Sequence, residues 1–192
     1  MPPFDTLPEF CPKDLADWRR WLKKHHAHAS GVWLIFYRAG SGKRILTYSE
    51  AVDEALCWGW IDSKVQPIDE ERFRQVFTPR KAGSGWSALN KRKIEAMEAQ
   101  GRMQAAGRAR IDAAIADGTW TLLDAVEAQE MPVELQGALA AVPTALGYYE
   151  SLTPGRKKTL LRWLNEAKRE ETRNIRISRI VEALGEGRMP VP

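Results

Sequence analysis

Between Thr78 and Ser87 the chain reads Thr-Pro-Arg-Lys-Ala-Gly-Ser-Gly-Trp-Ser, a short basic loop rich in small residues. Pro79 fixes the backbone at the loop entry, and Gly83 and Gly85 let the main chain approach a ligand closely. Arg80 offers a planar fork suited to carboxylate or phosphate, with Lys81 as a point charge beside it. Ser87 is placed to cap a following helix, whose free N–H groups favour an anion. Asn90 lies in the first turn of that helix, and Lys91, Arg92 and Lys93 add positive charge there. These three cations oppose the helix macrodipole unless something negative sits nearby. The chemistry this pattern suits is the binding of an anionic group.

Upstream, Trp58-Gly59-Trp60-Ile61-Asp62-Ser63-Lys64 reads as a strand with both indoles on one face and Asp62 and Lys64 further along it. A glycine between the indoles marks a bulge or the close approach of a ligand. Trp60 or Trp86 is then available to stack on a ligand ring. Asp62 is available to accept a hydrogen bond from the ligand or to pair with Arg80. The plainer reading is that these indoles are core, since a chain with eight tryptophans must bury most of them. The candidate ligand-binding set is Trp58, Trp60, Asp62, Lys64, Arg80, Lys81, Trp86, Ser87 and Asn90.

Other combinations carry less chemistry. Asp62 as a general base would make the chain an enzyme, yet a single carboxylate without a partner is a thin basis for catalysis. His25-His26-Ala27-His28 sits where a helix ends, and no Cys or carboxylate at ligand spacing completes a metal set, so no metal is expected. Gly40-Ser41-Gly42-Lys43 is not a phosphate loop, because Tyr37 stands where the first glycine is needed and Arg44 where Ser or Thr is needed. Cys57, among apolar neighbours, reads as a buried inert thiol. No cofactor is expected.

The elements that must position the loop follow from periodicity. A helix begins near Pro12, with Leu15, Trp18 and Leu22 on one stripe, and ends at Ser30-Gly31. Val32–Tyr37 is a strand apolar on both faces, hence covered on both. Thr47-Tyr48-Ser49-Glu50 matches a capping box and opens a second helix that Gly59 breaks. Residues 60–65 and 72–77 read as a hairpin. After Pro79 every strong signal is helical: 88–100, 104–116, short pieces near 124–129, 132–141 and 144–152, one from Thr153-Pro154 and a last from Thr172. The expected fold is α+β: a small, mainly antiparallel sheet with helices, then a helical bundle. The expected domains are 1–100, with the ligand site, and 101–192.

The chain has 192 residues, 29 basic and 25 acidic, and 44% hydrophobic, the composition of a globular protein. Its charge is blocked: 72–110 holds ten basic and two acidic residues, 111–153 seven acidic and no basic, and 154–192 ten basic and five acidic. Either these blocks neutralise each other or a basic surface attracts anions or nucleic acid. No apolar run approaches the ~20 residues of a membrane span. Met1-Pro2-Pro3-Phe4-Asp5 lacks a signal's basic and apolar regions, which predicts a cytoplasmic protein with Cys11 and Cys57 reduced.

Several segments together resemble the bacterial bacteriocin-protection, YdeI/OmpD-associated family. They are Gly31–Leu34, Leu46–Val52, Ala55–Lys64, Phe77–Lys81, Ser84–Asn90, Gly101–Met103 and the final Trp163, Glu166–Lys168, Thr172-Arg173 and Arg176-Ile177. The resemblance runs colinearly over nearly the whole chain. It implies a role in stress or antimicrobial resistance, and no reaction, cofactor or catalytic residue. The leading expectation is a cytoplasmic protein that binds a small anionic ligand. The alternatives are weak, sequence-tolerant nucleic-acid binding and an enzyme using Asp62.

Overall fold

Thr47 closes the capping box: its hydroxyl accepts from the Glu50 N–H at 3.1 Å, and the Glu50 carboxylate accepts from the Thr47 N–H at 2.9 Å. Thr47→Ala leaves the Glu50 donor without its partner and is expected to cost about 1 kcal/mol, measurable as a lower urea midpoint. The computed structural model describes residues 4–43 and 45–190, in two compact units that divide between Thr121 and Leu122. The fold is α+β, with strands and helices first and helices alone after them.

The first unit runs β1 (Glu9–Phe10), α1 (Leu15–His25), β2 (Val32–Tyr37), α2 (Tyr48–Cys57), β3 (Trp60–Pro67), β4 (Arg72–Pro79), α3 (Ala88–Ala99) and α4 (Ala105–Ala116). α1 starts at Leu15 rather than Pro12, because the Asp14 carboxylate accepts from the Asp17 N–H at 2.6 Å and sets the cap there. The sheet order is β1-β2-β4-β3, parallel between β1 and β2 and antiparallel elsewhere. β1 is a parallel edge strand that periodicity cannot reveal at two residues.

One sheet face carries Val32, Leu34, Phe36, Trp60 and Phe77, packed against Trp18 and Leu22 of α1, Val52 and Leu56 of α2, and Ile94 and Ile111 of α3 and α4. The other face carries Trp33 and Val76 under Phe4 and Leu7, and the Trp33 indole N–H donates to the Phe4 carbonyl at 2.8 Å. Four of the tryptophans, Trp18, Trp33, Trp60 and Trp86, are buried almost completely. Each removes about 200 Å² from water, worth about 5 kcal/mol before ordering costs, which makes them the anchors of this unit.

Two local features depart from the expected strand. α2 runs to Cys57, Trp58 caps it, and Gly59 at φ +73° turns the chain into β3. That is a glycine exit from a helix, not a strand glycine. Trp58 and Trp60 therefore lie on different elements instead of one face. Further on, the β3–β4 register shifts between Asp62 and Val65. The extra residue on β3 breaks the alternation, so exposed Lys64 does not continue the face of Asp62.

The second unit holds α5 (Asp124–Glu127), α6 (Val133–Ala140), α7 (Pro143–Ser151), α8 (Pro154–Asn165) and α9 (Glu170–Gly185). Leu135, Leu139, Leu160, Leu164, Ile177 and Ile180 form its core. Lys158 pairs with Glu127 at 2.7 Å and Arg173 with Glu134 at 3.8 Å, so here the basic and acidic blocks do meet. No helix among the described residues is long and apolar enough to cross a membrane.

Candidate anion-binding site

Where β4 ends, the Arg80 N–H donates to the Gly59 carbonyl at 2.9 Å and ties the start of the loop to the exit of α2. The Arg80 side chain turns inward and the residue is only 5% exposed. Its guanidinium lies 3.5 Å from the centroid of the Trp86 ring, and Nη2 donates to the Gly85 carbonyl at 2.7 Å. Nε is buried without a hydrogen-bond partner, and among the described residues no carboxylate forms an ion pair with the group. Burial pushes Arg80 down to about 10, and the charge of Asp62 opposes this only in part. At neutral pH it is a buried cation with no carboxylate in contact with it among the described residues.

Arg80, Lys81, Gly83 and Trp86 form one side of a small recess of about 30 Å³, and Arg110 and Asp117 stand on the side of α4. The Asp117 carboxylate accepts from the hydroxyl and the N–H of Thr119, which hold it below the usual carboxylate range. Arg110 is exposed, with no ion pair among the described residues. Three cations thus surround the recess against one carboxylate already engaged by the two donors of Thr119. The arrangement can hold a small oxyanion by charge-assisted hydrogen bonds.

The structure brings Arg80, Lys81 and Trp86 together and sets the other predicted residues at varying remove. Trp60 is core, its indole N–H donating to the His26 carbonyl at 3.2 Å. Trp58 is half-buried, its N–H donating to Glu54 at 3.2 Å. Both indoles line a second, open recess of about 390 Å³ together with His26, Gly59 and Arg110. Asp62 accepts from the Tyr48 hydroxyl at 2.7 Å and from Gln75 at 2.6 Å, lines neither recess, and makes no ion pair with Arg80. Burial, followed by the bond to Asp62, pushes the Tyr48 hydroxyl up to about 12. Ser87 caps α3, accepting from the Asn90 N–H at 3.2 Å, and neither residue lines the recess. The recess therefore faces the flank of α4 and not the start of α3.

Arg110, Asp117 and His26 were not legible as site residues. The available signal was the run of alanines on α4: Ala106, Ala109, Ala113 and Ala114 surround Arg110 at helical spacing. Small side chains on one face leave room in front of a helix.

Other charged groups are engaged within the fold. In the basic block, Arg72 pairs with Asp69, Arg74 with Glu9, Lys93 with Asp53, Arg102 with Glu54, and Arg108 with Glu98 and Asp112. The His25 and His28 rings approach to 3.2 Å, but among the described residues no three potential ligands gather. The Cys57 thiol is pushed up to about 11, chiefly by burial, which leaves it a poor nucleophile.

Comparison with family models matches residues 10–110 to a domain of unknown function (DUF8412) and residues 128–187 to the bacteriocin-protection, YdeI or OmpD-associated family. Comparison with curated proteins and with solved structures gives no match.

Proposed function

We propose, for a chain that belongs to the DUF8412 family and continues into a YdeI- or OmpD-associated segment, that the recess beside Arg80 binds the anionic group of a small molecule. Arg80 carries this reading. A guanidinium lowered from 12.5 to about 10 by burial represents about 3 kcal/mol of unfavourable charge burial. The contact with Trp86 offsets about 2 kcal/mol of it when desolvated. An anion in the recess would supply the missing counter-charge and a partner for Nε.

The opposing terms are smaller. The recess lies toward the C-terminal end of α4, where the macrodipole disfavours an anion by about 0.3–1 kcal/mol. One charge-assisted hydrogen bond contributes about 1.5–3 kcal/mol. In this reading the protein is a cytoplasmic binding protein, and its ligand belongs to the stress or antimicrobial-resistance setting that the family name denotes.

Arg80→Met tests the reading. Replacing an unpaired buried charge by an apolar chain of similar volume leaves stability equal or higher, so the variant is expected to melt no lower than wild type in zwitterionic buffer. Wild type is expected to gain thermal stability with added phosphate or sulfate, and Arg80→Met to bind these roughly ten- to a hundredfold more weakly. Equal response in both proteins would remove Arg80 from any anion site.

A further inference from the structure

The recess at Arg80 and the open recess at Trp58 share Arg110 and Ala113, so they adjoin along α4. From Ala106 to Asp117 the two together follow about 16 Å of helix at 1.5 Å per residue, longer than a bare oxyanion needs. We infer that their occupant is a phosphate monoester bearing a flat ring, of the size of a nucleoside monophosphate, with the phosphate between Arg80 and Arg110 and the ring against Trp58. This rests on the anion reading above and names the ligand class.

Three observations place the two ends. The Trp58 ring is a fixed shelf: its N–H is held by Glu54, and its ring packs against His26 with centroids 4.6 Å apart. A half-buried indole with a set orientation suits stacking, which tolerates any flat ring. Gly59 lets the Arg110 stem pass close to the exit of α2, where both recesses border it, since a Cβ there would meet the Arg110 Cγ at 2.7 Å and the Ala106 carbonyl at 3.1 Å. Two guanidiniums, Arg80 and Arg110, then match the two charges of a phosphate monoester. Arg110, which is exposed and makes no ion pair among the described residues, is free to swing onto it. The alanines of α4 leave the intervening space open for a sugar or linker.

Calorimetry with inorganic phosphate, adenosine and adenosine monophosphate tests the inference. Wild type is expected to bind the monophosphate at least about tenfold more tightly than phosphate, because stacking adds to the charge interaction. Trp58→Leu is expected to lose that advantage while keeping the phosphate affinity. Arg110→Met, at an exposed position that leaves folding intact, is expected to weaken the monophosphate about tenfold. If phosphate binds and the monophosphate binds no better, or if Trp58→Leu retains the full advantage with Arg110→Met also unchanged, this inference is overturned and the anion reading stands. Binding of none of the three probes overturns both. Adenosine binding as tightly as its monophosphate would show a ring site without a phosphate end, and overturns the inference as well.

Discussion

Glu54→Ala is expected to destabilise the protein by about 3 kcal/mol, the lower end of the range for breaking a buried ion pair. Glu54 is 2% exposed and accepts four hydrogen bonds: from Arg19 Nε at 2.9 Å and Nη2 at 2.8 Å, from Arg102 Nη2 at 2.9 Å, and from the Trp58 indole at 3.2 Å. The partners differ in their recourse once the carboxylate is gone. The Arg19 side chain is 48% exposed and can swing into water, whereas that of Arg102 is 26% exposed with its Nε already buried and unpaired. The loss therefore falls on Arg102 and Trp58, and Arg19→Ala should cost clearly less than Glu54→Ala. Urea unfolding of the two variants checks the order.

The same carboxylate gives a pH signature. Burial pushes Glu54 up, but the bonds from Arg19, Arg102 and Trp58 together outweigh it and hold the group below its ordinary value. A carboxyl depressed in the folded state stabilises above its unfolded pKa and loses that contribution as pH falls through the folded value. The stability gap between wild type and Glu54→Gln should be full at neutral pH and shrink below a pH of about 4. A gap that is constant from pH 7 to 3 would mean the ion triad contributes no net stability.

Gly107→Ala is expected to cost about 2–3 kcal/mol, against the usual rule for helix interiors. Alanine for glycine in a helix gains about 1 kcal/mol from propensity. Here the new Cβ would stand 2.2 Å from the Cys57 carbonyl oxygen and 2.7 Å from its carbon. Those atoms are backbone at the end of α2, and the same oxygen already accepts from the Gln104 N–H at 3.1 Å. Overpacking against backbone forces an element to move, and that penalty exceeds the propensity gain. The displaced element would be α4, so the shift would also carry Arg110 away from Trp58. Thermal unfolding measures the first effect; a variant as stable as wild type would show that α2 and α4 approach less closely than described.

The amphipathic stripes, the capping box and the β3–β4 hairpin were legible because each is local. Periodicity and turn chemistry act within a dozen residues, and the α+β order followed from them. Trp58 was misplaced because Trp-Gly-Trp alternates like a strand, while the same glycine equally serves as a helix exit. What decides between the two is the preceding stripe, Ala51, Val52, Ala55 and Leu56, which carries the helix to Cys57. The loop was legible as basic and small, and the structure gathers its Arg80, Lys81 and Trp86 in one recess. Its partner α4 was not, because Arg110 and Asp117 reach the loop only through tertiary packing set by Gly107 and Gly59. Asp62, on the strand adjoining the loop, was open to a ligand or to Arg80 by its charge alone, but Tyr48 and Gln75 take its hydrogen bonds.

The irregular step between Asp62 and Val65 bears on how the molecule behaves in a crowd. β3 lies at one end of the sheet and β1 at the other, so these are the two borders where another polypeptide would add itself and begin a polymer. β1 offers only two residues. β3 offers eight, but the bulge spoils its spacing, exposed Lys64 puts a charge on it, and Pro67 lacks a donor at its end. Neither border presents the flat, uninterrupted ladder that amyloid growth requires.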